Sequence, residues 1–480
     1  MRVLSDLEPL KVWEYFELLS SVPHGSGNTK AIADICQQFA IDHNLDYYRD
    51  EYNNIIIYKD ASEGYKGDPL ILQGHLDMVC VKEPESDKDL TIDPIDIRTD
   101  GKYVWADKTS LGADDVIAEA VTLAILEDDS LRHPPICAVF TADEETGLNG
   151  ARMLDKSKVT GSRMINLDSE GEGYVTCGCA GGIRAVCSFP VIRESVGNDI
   201  CYKINISGLL GGHSGREIDK SRANAIRLLA RLIYGVSLKW NVRICSFSGG
   251  KFDNAIPTSA EAVVAVSRED AEDFEKLAGK HEKLFRYEYR NSDSDIHIDI
   301  QKTDQEELCI VRSLSKSLMR CLSSVPDGLR KMNEDLPDLP SISSNIGIAR
   351  LADTDFRFVS LIRSNEPGQK EEVFKLISSM VEHDGGKVSI ENEYPEWVFK
   401  KESKLRDLYI SLGRKLFNTD IQITATHGGL EAAMFSSADP DLDIIAIGPE
   451  LSDIHSTRER VEVSSVDRLY KLVREMISNM

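Results

Sequence analysis

Ile71-Leu72-Gln73-Gly74-His75-Leu76-Asp77 decides the reading of the fold: an apolar run ends on an imidazole, with a carboxylate two residues on. The pattern recurs. Ile136 to Thr141 precedes Glu144-Glu145, Met164 to Leu167 precedes Asp168, and Ile444 to Ile447 lies shortly before His455. A further group, Gly112-Ala113-Asp114-Asp115, opens the helical pattern Val116 to Leu126. Short unbroken apolar runs are the mark of strands buried on both faces. In an open α/β sheet, ligands bind at the carboxyl ends of the strands. Groups far apart in sequence are therefore predicted to meet at one edge of one sheet. Imidazole and carboxylate are the donors of a catalytic zinc site that keeps a position open for water.

Outward from that stretch, Ile32, Ile35, Cys36 and Phe39 recur at helical spacing, and Ile55 to Tyr58 reads as a strand. Alternation of strand and helix to about Gly182 predicts the α/β class, a mostly parallel twisted sheet covered by helices. The middle of the chain differs. Tyr202, Ile204 and Ile206 alternate with polar residues, and the Gly-rich turn Gly211 to Gly215 follows. Helices are predicted near Asp219 to Val236, Asp270 to Arg286, Glu306 to Ser323 and Lys370 to His383. Strands are predicted at Ala260 to Ser267, Asp295 to Gln301 and Phe356 to Ile362. Strands with helices on one face make an α+β lid. Alternation returns after about Pro395, with a helix near Ser403 to Phe417. The expected organisation is a catalytic domain over 1–186 and 394–480, with a lid, 187–393, inserted into it. The sequence contains no evident repeat. The acidic stretch Glu83 to Asp96 reads as a solvated loop without a part in the chemistry.

A chain of 480 residues with 41% hydrophobic content can bury the cores of two domains. Its formal net charge of −24 argues against nucleic acid and anionic membrane as partners. No stretch reaches the roughly 20 apolar residues of a membrane span. Met1 to Leu10 has no apolar core, so no signal peptide is expected. Cys36, Cys80, Cys137 and Cys187 mostly lie in apolar runs, and Cys177 and Cys179 do not form a CxxC pair. Buried free thiols in a reducing cytoplasm are expected, rather than a thiolate metal site.

Two zinc ions need a carboxylate between them. Asp114 is the expected bridge, with Asp115 as the alternative. His75 and Asp168 would complete one metal site, Glu145 and His455 the other. Metal-bound imidazoles usually donate their second N–H to a carboxylate, and Asp77 is spaced to accept it. Adjacent residues in extended backbone point opposite ways. Glu144 is therefore expected beside the metals as general base, not as a ligand.

Taken together, Gln73 to Val79, Leu111 to Asp115, Glu144-Glu145 with Gly147, Leu167 to Glu170, Cys179 to Gly182, Gly211 to Gly215, Asn254 to Pro257 and His427 to Glu431 resemble one family. It is the dinuclear zinc metallopeptidases that include carboxypeptidases, aminoacylases and tripeptidases, and within them the aminoacyl-histidine (Xaa-His) dipeptidases. The resemblance spans nearly the whole chain. It implies His75, Asp114, Glu145, Asp168 and His455 as ligands of two divalent ions, zinc with manganese or cobalt as substitutes. It implies Asp77 and Glu144 as catalytic residues and a bridging hydroxide as nucleophile. It also implies that His213 polarises the scissile carbonyl, often from a partner subunit in a homodimer. Asn254 and Arg363 would hold the substrate carboxylate or oxyanion, and Glu431 the substrate amine. A cation facing a developing oxyanion and an Arg facing a carboxylate are physically sensible. The implied activity is cytoplasmic hydrolysis of small peptides, of Xaa-His type with broad specificity; an aminoacylase or tripeptidase is the alternative. A non-catalytic peptide-binding relative would be expected to lose Glu144, Glu145 or His455, and all are present. Two stretches depart from the pattern: Val-Ile-Ala-Glu-Ala after Asp115, where glycines are usual, and the basic Ser-Thr-Arg-Glu-Arg after His455.

Overall fold

The computed structural model describes residues 3–304 and 306–480. The chain forms two compact units. One is Met1–Gly178 with Phe399–Ala425 and Leu430–Met480; the other is Cys179–Val398 with Thr426–Gly429.

The first unit is built on an eight-stranded sheet. At its centre Ile136–Thr141, Leu70–His75, Arg163–Asn166 and Asp443–Ala446 lie side by side and parallel. Every residue of Leu70–His75 and Ile136–Thr141 is buried, so Ile136–Phe140 and Leu70–Leu72 read as apolar runs, and the buried Gln73 amide is satisfied by Glu431. The flanks are antiparallel. Ile55–Lys59 runs against Ile136–Thr141, Asp46–Arg49 against Ile55–Lys59, and Tyr174–Cys179 against Asp443–Ala446. Register aligns the carboxyl ends of the parallel strands: His75 pairs with Thr141, Gln73 with Asn166, and Asn166 with Ala446. The chain therefore leaves all four strands along one edge.

Helices Leu10–Leu19, Lys30–Asp42, Ala113–Glu127, Lys404–Phe417 and Val463–Ser478 share one hydrophobic core with this sheet. Ala113–Glu127 is buried from Asp115 to Leu126, and its sequence is accordingly apolar nearly all round. Asp114 and Asp115 leave helical geometry (ψ of 95° and 24°), so the regular helix starts at Val116, where the sequence pattern puts it. Gly74 lets this helix press on the central strand. A Cβ there would lie 2.4 Å from Ala118 Cβ and 2.7 Å from Asp115 Oδ2.

The second unit holds a nine-stranded antiparallel sheet made of two βαββαβ halves. One half contributes strands Ile200–Ser207, Val242–Gly249, Ala260–Val266 and His297–Lys302, with helices Ala225–Ser237 and Ala271–Glu288. The other contributes Gly181–Pro190, Pro340–Leu351, Asp355–Ser364 and Lys387–Tyr394, with helices Arg312–Ser324 and Gln369–His383. Each half has the spatial order fourth, first, third, second, and the two meet second strand to second strand. At that seam Ser248 pairs with Arg350 and Gly249 with Ala349. The sheet order is thus symmetric about the seam, apart from an added strand, Gly328–Met332, beside Pro340–Leu351. The first half is inserted into the second through a stem, where Arg193–Ser195 pairs antiparallel with Leu308–Ile310.

Two helix starts differ from expectation. The helix placed from Asp219 begins at Ala225, because Asn224 caps it, accepting from the backbone N–H of Ile226 and Arg227 at 3.0 and 3.3 Å. Only a short turn, Ile218–Lys220, precedes it. The helix placed from Glu306 begins at Arg312, because Leu308–Ile310 is drawn into the stem and Val311 is extended.

Candidate metal centre

The edge loops of the first unit bring the predicted groups together. His75 is the last residue of its strand and is buried. Its Nδ1 lies 3.0 Å from the backbone carbonyl of Asp77. A carbonyl only accepts, so Nδ1 carries a proton and Nε2 is the nitrogen turned toward the acidic cluster. The sequence predicts the Asp77 carboxylate as this acceptor; its Oδ1 stands 3.6 Å away. That carboxylate instead accepts from Ser26 Oγ at 2.7 Å and from the backbone N–H of Glu144 and Glu145 at 2.9 and 3.2 Å. Asp77 therefore fixes the backbone of the glutamate pair.

Asp114 lies between the two imidazoles. Its Oδ1 is 3.3 Å from His75 Nε2 and its Oδ2 is 3.2 Å from His455 Nε2. His455 Nε2 is also 2.7 Å from Glu145 Oε1, and Asp168 Oδ1 is 3.9 Å from His75 Nε2. Donor atoms of His75, Asp114 and Glu145 lie within 4.8 Å of one another, as do those of His75, Asp115 and Asp168. Asp115 differs from Asp114 in already having a donor, the backbone N–H of His75 at 3.1 Å.

The electrostatics fit a cation. Burial opposes protonating His75, but Asp114, Asp77 and Asp168 outweigh it and hold its pKa well above the ordinary value. His455 is likewise pushed up to about 10 against its burial, by Asp114 and Glu145. Asp114, half-buried but facing both imidazoles, is held below the usual carboxylate range against its desolvation. Asp115, Glu144 and Asp168 are held well above it, first by burial and then by neighbouring carboxylates. These acids crowd more negative charge than two imidazoles balance, and nitrogen and oxygen donors suit zinc, manganese or cobalt.

Two residues outside the predicted set hold the loops. The buried Glu459 carboxylate accepts from four successive backbone N–H groups, Leu111, Gly112, Ala113 and Asp114, at 2.9, 3.1, 2.8 and 3.4 Å. It ties the Asp114 turn to the His455 loop, which is flanked by the paired strands Leu451–Ser452 and Arg460–Glu462. Buried Asn54 spans the base of the glutamate loop, accepting from Ala142 N at 2.9 Å and donating to Gly150 O at 3.1 Å.

Glu431 is also in this unit and wholly buried. Its Oε2 accepts from Gln73 Nε2 at 2.6 Å and from Thr141 Oγ1. Burial, aided by Asp77 and opposed by His75, Thr141 and Gln73, pushes its pKa up to about 7 from 4.5. A carboxyl raised on folding keeps a proton that the unfolded chain gives up. Its contribution is most favourable below about 4.5, is lost as pH rises to about 7, and is constant above that. The full span is on the order of 3 kcal/mol. Metal-free Glu431→Gln is expected to lose that part of the decline in thermal stability between pH 5 and 8. Parallel pH profiles for variant and wild type would contradict the assignment.

The remaining predicted residues lie in the second unit. Backbone N–H groups of Gly215 and Arg216 donate to His213 Nδ1 at 3.1 and 3.2 Å. Nδ1 is thus an acceptor, and Nε2 carries the proton. Burial, then Arg363 and Arg216, lower the His213 pKa to about 4. At neutral pH it is an uncharged N–H donor, where sequence reasoning called for a cation. Asn254 is exposed in the neighbouring loop, its carbonyl accepting from Ser214 N at 2.8 Å. Both border a cavity of about 620 Å³. Arg363 is buried and donates to Tyr394 Oη at 2.9 Å and to His427 O at 3.4 Å.

A parallel sheet with imidazoles and carboxylates gathered at its carboxyl edge is the architecture of a metallopeptidase. Comparison with known proteins identifies the group: the chain belongs to peptidase family M20/M25/M40, whose model matches residues 71–479. It is 31% identical to the cytosol non-specific dipeptidase of Escherichia coli (strain K12) over 482 residues, covering 100% of this chain and 99% of that one. The crystal structure of aminoacylhistidine dipeptidase from Vibrio alginolyticus matches with a TM-score of 0.91 at 29% identity, over 99% of this chain and 98% of the other. A tripeptidase from Staphylococcus aureus matches with a TM-score of 0.56 at 17% identity, over 98% of both chains, and shares the fold. Among the described residues no helix is long and apolar enough to cross a membrane.

Proposed function

We propose that this peptidase is a cytoplasmic dipeptidase of broad specificity that accepts Xaa-His substrates and works with two zinc ions. The observation that carries the reading is Asp114 set between two imidazoles, one carboxylate oxygen to each. Full-length similarity to proteins named as dipeptidases supports the substrate class. His75 and Asp168 would hold one ion, Glu145 and His455 the other, with Asp114 common to both. When bound, such ions supply Lewis-acid polarisation of a peptide carbonyl and bring the pKa of an attacking water toward neutral. Glu144 takes the proton of that water and passes it to the leaving amine. A carboxylate beside a metal-bound water is the usual group for that transfer. Asn254 and Arg363 bind the substrate carboxylate, and Glu431 its amine.

The direct test is a metal-reconstituted assay on dipeptides with varied C-terminal residues, tripeptides and N-acyl amino acids. Fastest turnover of dipeptides, Xaa-His among them, is expected. Preference for tripeptides or N-acyl substrates would overturn the dipeptidase assignment.

In this mechanism the His213 Nε2–H donates to the developing oxyanion. His213→Ala is then expected to lower kcat by roughly 10²–10³, the scale of one oxyanion donor, with KM and metal content changed far less. Mixing inactive Glu144→Gln with inactive His213→Ala tests the homodimer. Partial recovery is expected if the histidine comes from a partner subunit. No recovery, with subunit exchange verified, assigns it to its own chain. Wild-type turnover in His213→Ala would remove it from the mechanism.

A further inference from the structure

The acidic stretch Glu83 to Asp96 is not only a solvated loop. With the Gly25–Asn28 turn it borders an open cleft of about 390 Å³ lined by Met78, Val79, Cys80, Leu90, Thr91, Glu145 and Thr146. The walls are fixed from several sides. Met78 N donates to His24 O at 3.1 Å, Asn28 Nδ2 to Thr91 O at 2.9 Å, and Ser26 Oγ to Asp77 at 2.7 Å. Glu145 belongs both to this cavity and to the cluster around His455. One carboxylate of the candidate metal centre is therefore part of the cavity's lining.

Among the described residues no Lys, Arg or His lines it, and the one charged residue that does, Glu145, already faces His455. A charged side chain would find no free counter-charge on these walls, whereas an apolar one would bury surface against Met78, Val79 and Leu90. We propose that this cavity is the pocket for one of the two substrate side chains and that it selects an uncharged, apolar one. The inference rests on the reading of Glu145 as part of the reactive centre.

Nine of the ten cysteines are buried, and Cys80 is exposed, so the pocket carries its own chemical handle. The experiment uses metal-loaded wild type, Leu90→Trp and Cys80→Trp. The kcat/KM ratio of Leu over Gly is measured at each substrate position, in Xaa-Ala and Ala-Xaa series. Wild type is expected to favour Leu over Gly and over Asp at one of the two positions. Both tryptophan variants are expected to lower the Leu-to-Gly ratio there by about tenfold or more, the scale on which apolar pockets discriminate, with metal content unchanged. Ratios unchanged at both positions would overturn the pocket. Independently of turnover, leucinamide is expected to slow modification of Cys80 by a thiol reagent, and aspartate not to. If no dipeptide is cleaved, the dipeptidase reading fails, and Cys80 protection then decides the pocket alone. Equal rates with and without leucinamide would overturn it.

Discussion

Glu144→Gln is expected to purify with a full complement of metal and to hydrolyse dipeptides about 10²–10⁴ times more slowly, the scale of general-base catalysis. The variant keeps the shape of the side chain, and its backbone N–H still has Asp77 to donate to. What it loses is a group able to take a proton from water and give it to an amine. The effect should therefore fall on kcat and leave KM nearly unchanged. Glu145→Gln is the contrasting control. It removes a carboxylate 2.7 Å from His455 Nε2, so metal affinity should fall first and activity should recover in part at high metal. Near-normal turnover by Glu144→Gln with stoichiometric metal would refute the assignment of the base.

Loss of metal is the second large effect expected. His75→Ala removes the imidazole common to both donor groups and should leave little bound metal at either position. His455→Ala removes the donor beside Glu145 and should lose one ion before the other. Glu459→Ala is expected to fall between wild type and these. It touches no metal position, but it frees the four N–H groups that hold the Asp114 turn. Loss of a group that orients ligands typically lowers metal affinity 10–100-fold, and Glu459→Gln should restore part of it. Metal titration by calorimetry, with elemental analysis of the purified variants, reads all three. Two tightly bound ions in both histidine variants would mean that the ligand set is wrong.

The parts of the fold and site that were legible in the sequence share one cause. A parallel strand buried on both faces is mostly apolar, so polar groups following it stand out, as His75, Glu144-Glu145 and Asp168 do. The polar strand Pro340–Leu351 shows the opposite case. Its Ser341, Ser343, Ser344 and Asn345 are buried, and the sequence pattern predicts no strand there, yet Ser343 Oγ meets His427 Nε2 at 2.7 Å and Asn345 donates to two loop carbonyls. Such partners come from distant segments and leave no local trace. Glu459 was illegible for the same reason. In Ser-Thr-Arg-Glu-Arg it is one acid among basic neighbours, and its four donors lie some 345 residues earlier. The duplicated architecture of the second unit was hidden by nesting, since one copy interrupts the other and no fixed spacing survives.

That nesting bears on how the enzyme can evolve. When two copies of a module face each other in a symmetric pair of chains, every substitution is made twice and both copies must tolerate it. Here both copies lie on one chain, so each mutates alone. The inserted copy carries His213 and Asn254, while the interrupted copy carries Arg363, Tyr394 and the strand that meets His427. Their meeting across Ser248 and Gly249 is also intramolecular, so dilution cannot undo it. The two halves of like topology are therefore free to diverge in sequence.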